Sequence, residues 1–327
     1  MISREQVIWG YRFILGRDPE NNAVIDYHCQ HESTLALRKA LLESEEFLNL
    51  HPQLSRQQGD ISFPDWNDLR APRLIFMHSP KTGGTTLHHL LLSHFPNESV
   101  CPERFNGLKN HAAGALAKYR FFSGHYDLVS CLLVPGEKQI VTLLREPVSR
   151  LISMYNFLRA HRPDIIERNN WQLAKLASSL KAEDFFSHPS VRTHPYINNG
   201  MTRTLTASLP IEIWPIIDPE ASVPDVSSAG KQALEQLSTL TAFGVLERYE
   251  ESVDLIFNSL RLERPESIQS EMVLSDLIAG AGNYQPVEIV KESTNLRSII
   301  EELVPADIEL YRGAVTLFES RLRQASS

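Results

Sequence analysis

Residues 74–95 read LIFMHSPKTGGTTLHHLLLSHF, and this stretch decides the fold of the chain. It opens with four apolar residues, Leu74–Met77, a run long enough for a buried strand but too short for a helix. A loop containing Gly83 and Gly84 follows, and Thr86–Phe95 then has the pattern of a helix. The order of strand, glycine loop and helix is typical of α/β proteins.

Further strand candidates follow along the chain, each separated from the next by a helical pattern: Arg120–Ser123, Gln139–Leu144 and Ala242–Leu246. Such alternation predicts a parallel sheet that is covered by helices on both faces. The C-terminal third is mostly helical, most clearly at Glu250–Leu260 and Ala306–Leu322. We therefore predict a P-loop-like three-layer α/β fold with a central parallel sheet over residues 71–327.

The N-terminal residues 1–58 predict a separate, small all-α module. Apolar residues recur at helical spacing from Val7 to Leu15, and a second periodic run covers Leu35–Phe47. Residues 51–70 are polar and contain proline and glycine, which suits a linker. We place that linker at residues 59–70.

Composition excludes several classes of protein. The three cysteines are widely spaced and form no CxxC pair, so neither a disulfide framework nor a metal site is expected. No apolar run approaches the ~20 residues that span a bilayer, and no signal-peptide pattern opens the sequence, which predicts a cytoplasmic location. The net charge of −8 argues against nucleic acid as a partner. Only residues 118–203 favour anions, with 12 basic and 7 acidic side chains.

The loop Ser79–Thr86 is a candidate phosphate site. Backbone N–H groups at the start of a helix are unpaired and point outward, and the helix dipole adds partial positive charge. The glycines allow close approach, the threonines add hydroxyl donors, and Lys81 supplies a cation. A nucleoside-triphosphate loop has its lysine after the glycines, whereas Lys81 precedes them, so the Walker pattern fails. A simple turn with a lysine is the competing interpretation.

A second anchor follows the strand at Gln139–Leu144, where the chain reads REPVSRLISMY over residues 145–155. Arg145 falls at the carboxyl end of a strand, the edge at which ligands bind in open α/β sheets. Ser153 lies two turns further along the helix that Pro147 begins. An arginine and a serine on rigid elements suit a phosphate monoester, and an ion-paired arginine with a surface serine is the alternative.

Together these two segments resemble the cofactor motifs of sulfotransferases that use 3'-phosphoadenosine-5'-phosphosulfate (PAPS). The forms PKTGGTT and R-x-P-x-x-R-x-x-S-x-Y are closest to the carbohydrate type, near the uronyl 2-O-sulfotransferase branch, and the likeness extends over residues 72–322. The resemblance implies that the 5'-phosphosulfate is contacted by Lys81, Thr82, Gly83, Gly84, Thr85 and Thr86. It implies that Arg145 and Ser153 contact the 3'-phosphate, with Arg150 either joining them or tying its helix to the acidic C-terminal third.

The candidate base is His125, which follows the strand at Arg120–Ser123 through Gly124 and should emerge at the carboxyl edge of the sheet. Imidazole is suited to accepting a hydroxyl proton. The Gly-His element also resembles the position of the catalytic histidine in the 2-O-sulfotransferase branch. Glu103 or Asp127 is the alternative base. His88, His89 and His94 share one predicted helix, where surface or packing roles are expected.

Lys81 is the second catalytic candidate, because a cationic side chain can neutralise the leaving phosphate without a metal ion. The stretch Asn198–Arg203 resembles one near the acceptor in carbohydrate sulfotransferases, which makes Arg203 a substrate-binding candidate, with a helix-capping role as the alternative. The expected partners are the donor PAPS and a carbohydrate or glycoconjugate acceptor.

The N-terminal segments YRFILGRDPE and LLESEEFLN resemble a small helical domain of unknown function found in bacterial glycan-related proteins. The resemblance implies a bacterial source and a module that docks a protein or glycan partner.

Two functions compete with sulfuryl transfer. One is a nucleoside-triphosphate-dependent kinase on a related fold, and the other is a non-catalytic nucleotide- or glycan-binding protein.

Overall fold

The computed structural model describes residues 2–50, 71–211, 225–264 and 282–325 of the chain. The chain divides into two compact units, Met1–Phe63 and Pro64–Ser327. The predicted linker at residues 59–70 lies outside the described residues. Among the residues that are described, no helix combines the length and the apolar character needed to cross a membrane.

The first unit is helical, with α1 at Arg4–Ile14, α2 at Asn22–His28, α3 at Thr34–Leu42 and α4 at Glu45–Leu50. Its core contains Val7, Leu37 and Leu41, which are almost completely buried. The periodic run Leu35–Phe47 forms two helices, α3 and α4. Ser44 divides it, because its Oγ donates to Leu41 O at 2.7 Å and accepts from Phe47 N at 3.2 Å, ending one helix and capping the next.

The second unit is built on a four-stranded parallel sheet with the spatial order β2-β1-β3-β4. The strands are β1 at Arg73–Met77, β2 at Phe121–Gly124, β3 at Lys138–Leu144 and β4 at Ala242–Val245. Each lies within one residue of its predicted bounds. The predicted α/β class and parallel sheet are therefore confirmed.

Helices complete this unit, and their bounds follow the chain order. They are α5 Gly84–Leu92, α6 Ala113–Ala117, α7 Leu128–Leu132, α8 Pro147–Arg159, α9 Pro163–Asn169, α10 Gln172–Ser179, α11 Ala182–Ser187, α12 Pro189–Arg192, α13 Gly200–Thr206, α14 Gly230–Thr239, α15 Tyr249–Leu260, α16 Thr294–Glu301 and α17 Pro305–Ala325. Helix α5 starts two residues before its predicted start and ends three before its predicted end. Ser93 Oγ donates to Leu90 O at 2.8 Å where the helix stops.

Both faces of the sheet are buried, which explains the continuous apolar strands. On β1, Leu74 and Phe76 pack with Leu87 of α5 and the apolar side of α15. The alternate residues of β1 pack on the opposite face with α13, α14 and α17. The sheet and its two helical layers therefore form the three-layer arrangement, and the carboxyl ends of β1, β2 and β3 meet at one edge.

Candidate functional site at the carboxyl edge of the sheet

The loop after β1 forms a cradle at the start of α5. Gly83 caps the helix with φ +79° and ψ +16°, a left-handed conformation, and Lys81 also has a positive φ of +68°. A Cβ added to Gly84 would lie 2.8 Å from Cγ of His78 and closer still to its Cδ2. The loop therefore requires glycine at both positions, and it leads directly into the N-terminus of α5.

Ser79 shows that this cradle suits an anionic ligand. Ser79 is 2% exposed, and its Oγ has no hydrogen-bond partner among the described residues. Thr82, by contrast, is fully buried and donates its hydroxyl to Ser79 O at 2.8 Å. A buried hydroxyl without a protein partner, in the loop that leads into α5, is available to an oxygen of an anionic ligand. Thr82 would contribute only its backbone N–H.

Lys81 lies half-buried beside the loop, with Nζ 4.0 Å from the centre of the Phe157 ring. Burial, together with the charge of Arg145, lowers the pKa of Lys81 to about 8. The residue therefore remains protonated at neutral pH, at a position from which a flexible lysine can reach the loop.

Arg145 connects the second anchor to the first. Its Nη1 donates to Lys81 O at 3.2 Å, so the arginine after β3 touches the loop after β1. Burial lowers the pKa of Arg145, and no carboxylate lies within ion-pair distance of it among the described residues. Ser153 lies half-buried in the second turn of α8, the helix that begins at Pro147. The structure thus brings Arg145 to the loop and places Ser153 on the helix that follows.

His125 lies at the same edge, one residue beyond β2. Its Nδ1 is 2.8 Å from the carbonyl oxygen of His78, and its ring centre is 4.7 Å from that of His78. Because a carbonyl can only accept, Nδ1 carries the proton and Nε2 is left as an acceptor. Burial lowers the pKa of His125 to about 4, with Arg104 and Lys81 adding to the shift. The ring is therefore neutral at pH 7.

The two alternative carboxylates differ in their availability. Asp127 is completely buried and accepts from Asn106 Nδ2 at 2.6 Å, Leu209 N at 2.6 Å and Ser130 N at 2.7 Å. These bonds engage it as the cap of α7, and a role of Asp127 as the base stays a prediction. Glu103 accepts from Phe105 N at 2.8 Å through Oε1 and keeps a side chain that is 22% exposed. Glu103 is thus the accessible carboxylate of the two.

Two arginines that were considered for the site are engaged in structural contacts. Arg203 is 3% exposed and donates to Asn198 O at 2.7 Å and to Asn198 Oδ1 at 3.0 Å, just before α13 begins. Those bonds favour the capping interpretation, and an acceptor contact by Arg203 remains a prediction. Arg150 forms a fully buried ion pair with Asp307 on α17, at 3.3 Å. Arg150 therefore ties its helix to the C-terminal third.

Sequence reasoning did not single out three residues that the structure brings to the site. Ser79 lies in the quoted loop, but only the geometry shows its hydroxyl to be buried and unpartnered. His78 supplies the carbonyl that orients His125, and its ring stacks on Phe76 with ring centres 5.3 Å apart. Arg104 lowers the pKa of both histidines. No spacing in the sequence marks Arg104, because it lies in an irregular segment.

Comparison with known proteins gives one informative similarity. A stretch of 137 residues is 24% identical to a protein-tyrosine sulfotransferase of Arabidopsis thaliana. The match covers 41% of this chain and 27% of that protein's length. No family model matches the chain. The similarity supports the resemblance to sulfotransferases in general terms and leaves the acceptor of this chain undefined.

Proposed function

We propose that the chain transfers a sulfuryl group from PAPS to a hydroxyl of a carbohydrate-type acceptor, with His125 as the general base. One observation carries the proposal: the hydrogen bond from His125 Nδ1 to His78 O, at 2.8 Å. It joins the candidate base to the residue that immediately precedes the phosphate loop Ser79–Thr86. In-line group transfer requires a base held close to the site that binds the donor, and this hydrogen bond links the candidate base to the candidate phosphate site.

The residues present fit a donor that has two anionic ends. Ser79 Oγ, the N-terminus of α5 and Lys81 are grouped at one position, and Arg145 lies one strand away with Ser153 on the helix beyond it. We assign the 5'-phosphosulfate to Lys81–Thr86 and the 3'-phosphate to Arg145 and Ser153. The donor supplies the sulfuryl group, and we propose that no metal ion takes part.

His125 would accept the proton of the acceptor hydroxyl at Nε2. Its low pKa leaves it neutral, as a base must be, but also makes it a weak base in the ligand-free protein. An anionic ligand in the adjacent loop would favour the imidazolium and raise that pKa toward its ordinary value. Binding and base strength are coupled in this arrangement, because Lys81 and Arg104 lose part of their effect when an anion neutralises them.

Lys81 would stabilise charge on the leaving phosphate. The Nζ over Phe157 is partly desolvated, so its attraction to an anion is less screened than in water. Leaving the Phe157 ring requires only rotation about the side chain, whereas the backbone of Lys81 is fixed by Arg145. We assign Lys81 to stabilising the transition state and His125 to proton transfer.

A tyrosyl peptide is the second candidate acceptor, because the similar plant protein is a protein-tyrosine sulfotransferase. Phe105 is 45% exposed, and its ring centre lies 6.3 Å from that of His125. An exposed aromatic ring beside the base suits the apolar face of a sugar or the ring of a tyrosine. The acceptor panel must therefore contain both classes.

The test is labelled-sulfate transfer from PAPS to oligosaccharides, glycolipids and tyrosyl peptides, with His125→Ala and Glu103→Gln compared with the unaltered protein. We expect His125→Ala to lower kcat by about 10²- to 10⁴-fold, the usual contribution of a general base, while Glu103→Gln retains most activity. Calorimetric titration should show unchanged affinity of His125→Ala for adenosine 3',5'-bisphosphate.

The opposite pattern, in which only Glu103→Gln is inactive, would transfer the base role to the carboxylate. Magnesium-dependent binding of ATP in preference to adenosine 3',5'-bisphosphate would favour a kinase instead. Tight nucleotide binding with no transfer to any acceptor would identify a binding protein.

A further inference from the structure

The residues at the edge of the sheet form a row whose order follows the strands. Arg145 follows β3, Lys81 follows β1, and His125 follows β2. The segment before α6 continues the row beyond β2, since Arg120 N donates to Ser99 O at 2.7 Å and Cys101 N to Phe121 O at 2.8 Å. At its end His125 N donates to Arg104 O at 2.8 Å. Arg104 is therefore the outermost member, on the far side of His125 from Arg145.

The pKa shifts agree with this order. The charge of Arg145 acts on Lys81, and the charges of Lys81 and Arg104 both act on His125. The proposed donor occupies the part of the row from Arg145 to Lys81. An acceptor hydroxyl must approach His125 from the remaining side, because the base lies between the donor loop and Arg104.

Arg104 has a neutral partner where an arginine usually has an acidic one. Its Nη1 donates to His88 Nε2 at 2.8 Å, and among the described residues no carboxylate lies within ion-pair distance of it. The residue is exposed, yet desolvation lowers its pKa. Its guanidinium has five N–H donors, so one bond to an imidazole leaves the fork available to a ligand.

His88 holds this arginine in place. The residue is 5% exposed on α5, and its Nδ1 lies 2.9 Å from Ser123 Oγ on β2. Because Arg104 donates to Nε2, the proton of the neutral ring is on Nδ1 and is donated to Ser123. Burial and the charge of Arg104 lower the pKa of His88 to about 4, which keeps Nε2 an acceptor at neutral pH. The packing role expected for His88 is thus joined by a polar one.

We propose that Arg104 binds an anionic group of the acceptor, and that His88 and Ser123 are positioning residues for it. The proposal rests on the proposed function and specifies its acceptor as an acidic carbohydrate, one with a carboxylate or sulfate near the reacting hydroxyl. A planar guanidinium fork held at one Nη matches the paired oxygens of such a group. A neutral acceptor would leave Arg104 without a counter-charge beside His125.

The test uses the full chain saturated with adenosine 3',5'-bisphosphate. Two probes are titrated by calorimetry: a hexasaccharide of alternating glucuronate and N-acetylglucosamine, and the same hexasaccharide with its carboxyl groups reduced to alcohols. Arg104→Gln should weaken binding of the acidic probe by about 10- to 100-fold, the value of a charge-assisted hydrogen bond, and leave the reduced probe and the nucleotide unaffected. Arg312→Gln, an exposed arginine on α17, is the matched control.

Variants of His88 separate positioning from general packing. The amide of His88→Gln can accept from Arg104 and donate to Ser123, whereas His88→Leu can do neither. We expect His88→Leu to weaken the acidic probe about tenfold, with His88→Gln restoring most of the affinity. A purely structural His88 would lower the thermal stability of both variants without separating the two probes.

Equal loss for both probes, or no loss with Arg104→Gln, overturns the inference. Arg104-dependent binding of an aspartate-flanked tyrosyl peptide, without binding of the hexasaccharide, overturns the carbohydrate acceptor. These titrations need no turnover. Charge-selective binding without sulfate transfer therefore counts against the proposed function alone, and sulfate transfer without charge selectivity counts against the role of Arg104 alone.

Discussion

At the scale of single residues, the proposed mechanism depends on two groups whose pKa values are lowered by the same surroundings. Desolvation and neighbouring cations lower the pKa of His125 to about 4 and that of Lys81 to about 8. His125 must be neutral to accept a proton, and Lys81 must be protonated to neutralise an anion. The two requirements are met together only between these two values.

The alkaline side of this window gives a prediction. Activity measured as kcat/KM should fall as pH rises through about 8, because Lys81 loses its proton there. In Lys81→Arg the side chain stays protonated and still packs on Phe157, so that decline should move to higher pH. The measurement is the pH profile of both proteins with one donor and one acceptor. An unchanged alkaline limb would assign it to another group.

The residues of the candidate site also show how much of it could be predicted from the sequence. Lys81, Arg145 and His125 could be found because each follows a strand, and parallel strands deliver their carboxyl ends to one edge. Arg104 and His88 could not, because their contact depends on how an irregular segment packs against α5. That His88 faces Ser123 rather than solvent is set by the packing of α5 on the sheet, which spacing alone does not give.

At the scale of elements, the junction between β1 and α5 is the least tolerant part of the site. Gly84→Ala would place a methyl group against the ring of His78. The backbone carbonyl of the same residue orients His125. We expect weaker binding of adenosine 3',5'-bisphosphate by calorimetry and lower turnover, because both the loop and the base must shift. Gly114→Ala is the control, since a Cβ at this helical glycine meets nothing within 4 Å. Equal nucleotide affinity in the two variants would contradict the cradle.

Elements also differ in how well the sequence predicted them. The strands were located to within one residue because both faces of each are largely buried, so most of their residues are apolar. The run Leu35–Phe47 was predicted as helical, but the break at Ser44 was not predicted, because the hydrophobic spacing continues through Ser44 while the helix ends before it. A serine that both ends one helix and caps the next interrupts the backbone without interrupting the apolar pattern.

At the scale of the whole molecule, the net charge of a sequence region was a weak predictor of where the candidate site lies. The anion-favouring residues 118–203 include Arg150 and Arg203, which are buried in structural contacts, and Arg162 and Lys175, which pair with local carboxylates. Of the cations at the site, only Arg145 belongs to this region, and Lys81 and Arg104 come from the preceding third. The fold brings the site together from the ends of three strands that are distant in sequence. The charge of the site therefore depends on which residues lie close together in the structure, and the net charge of one sequence region does not predict it.

The ion pair of Arg150 and Asp307 links α8 to the C-terminal helix α17, and it supports the last prediction. Asp307 on α17 contacts Arg150 of α8 at 3.3 Å and accepts from Thr202 N at 2.7 Å and Met201 N at 3.2 Å at the start of α13. Both charged side chains are fully buried. Asp307→Ala would leave a guanidinium buried without a counter-charge, a change that typically costs about 3–5 kcal/mol of unfolding free energy.

Urea unfolding followed by circular dichroism measures this change, with Asp164→Ala as the control. Asp164 pairs with Arg162 at 2.9 Å, but both side chains are about half exposed, so its loss should alter stability by less than about 1 kcal/mol. Equal destabilisation by the two substitutions would show that water reaches Arg150 once Asp307 is absent. A large difference would instead identify the pair as the buried connection through which the C-terminal helix fixes α8, the helix that carries Ser153 to the site.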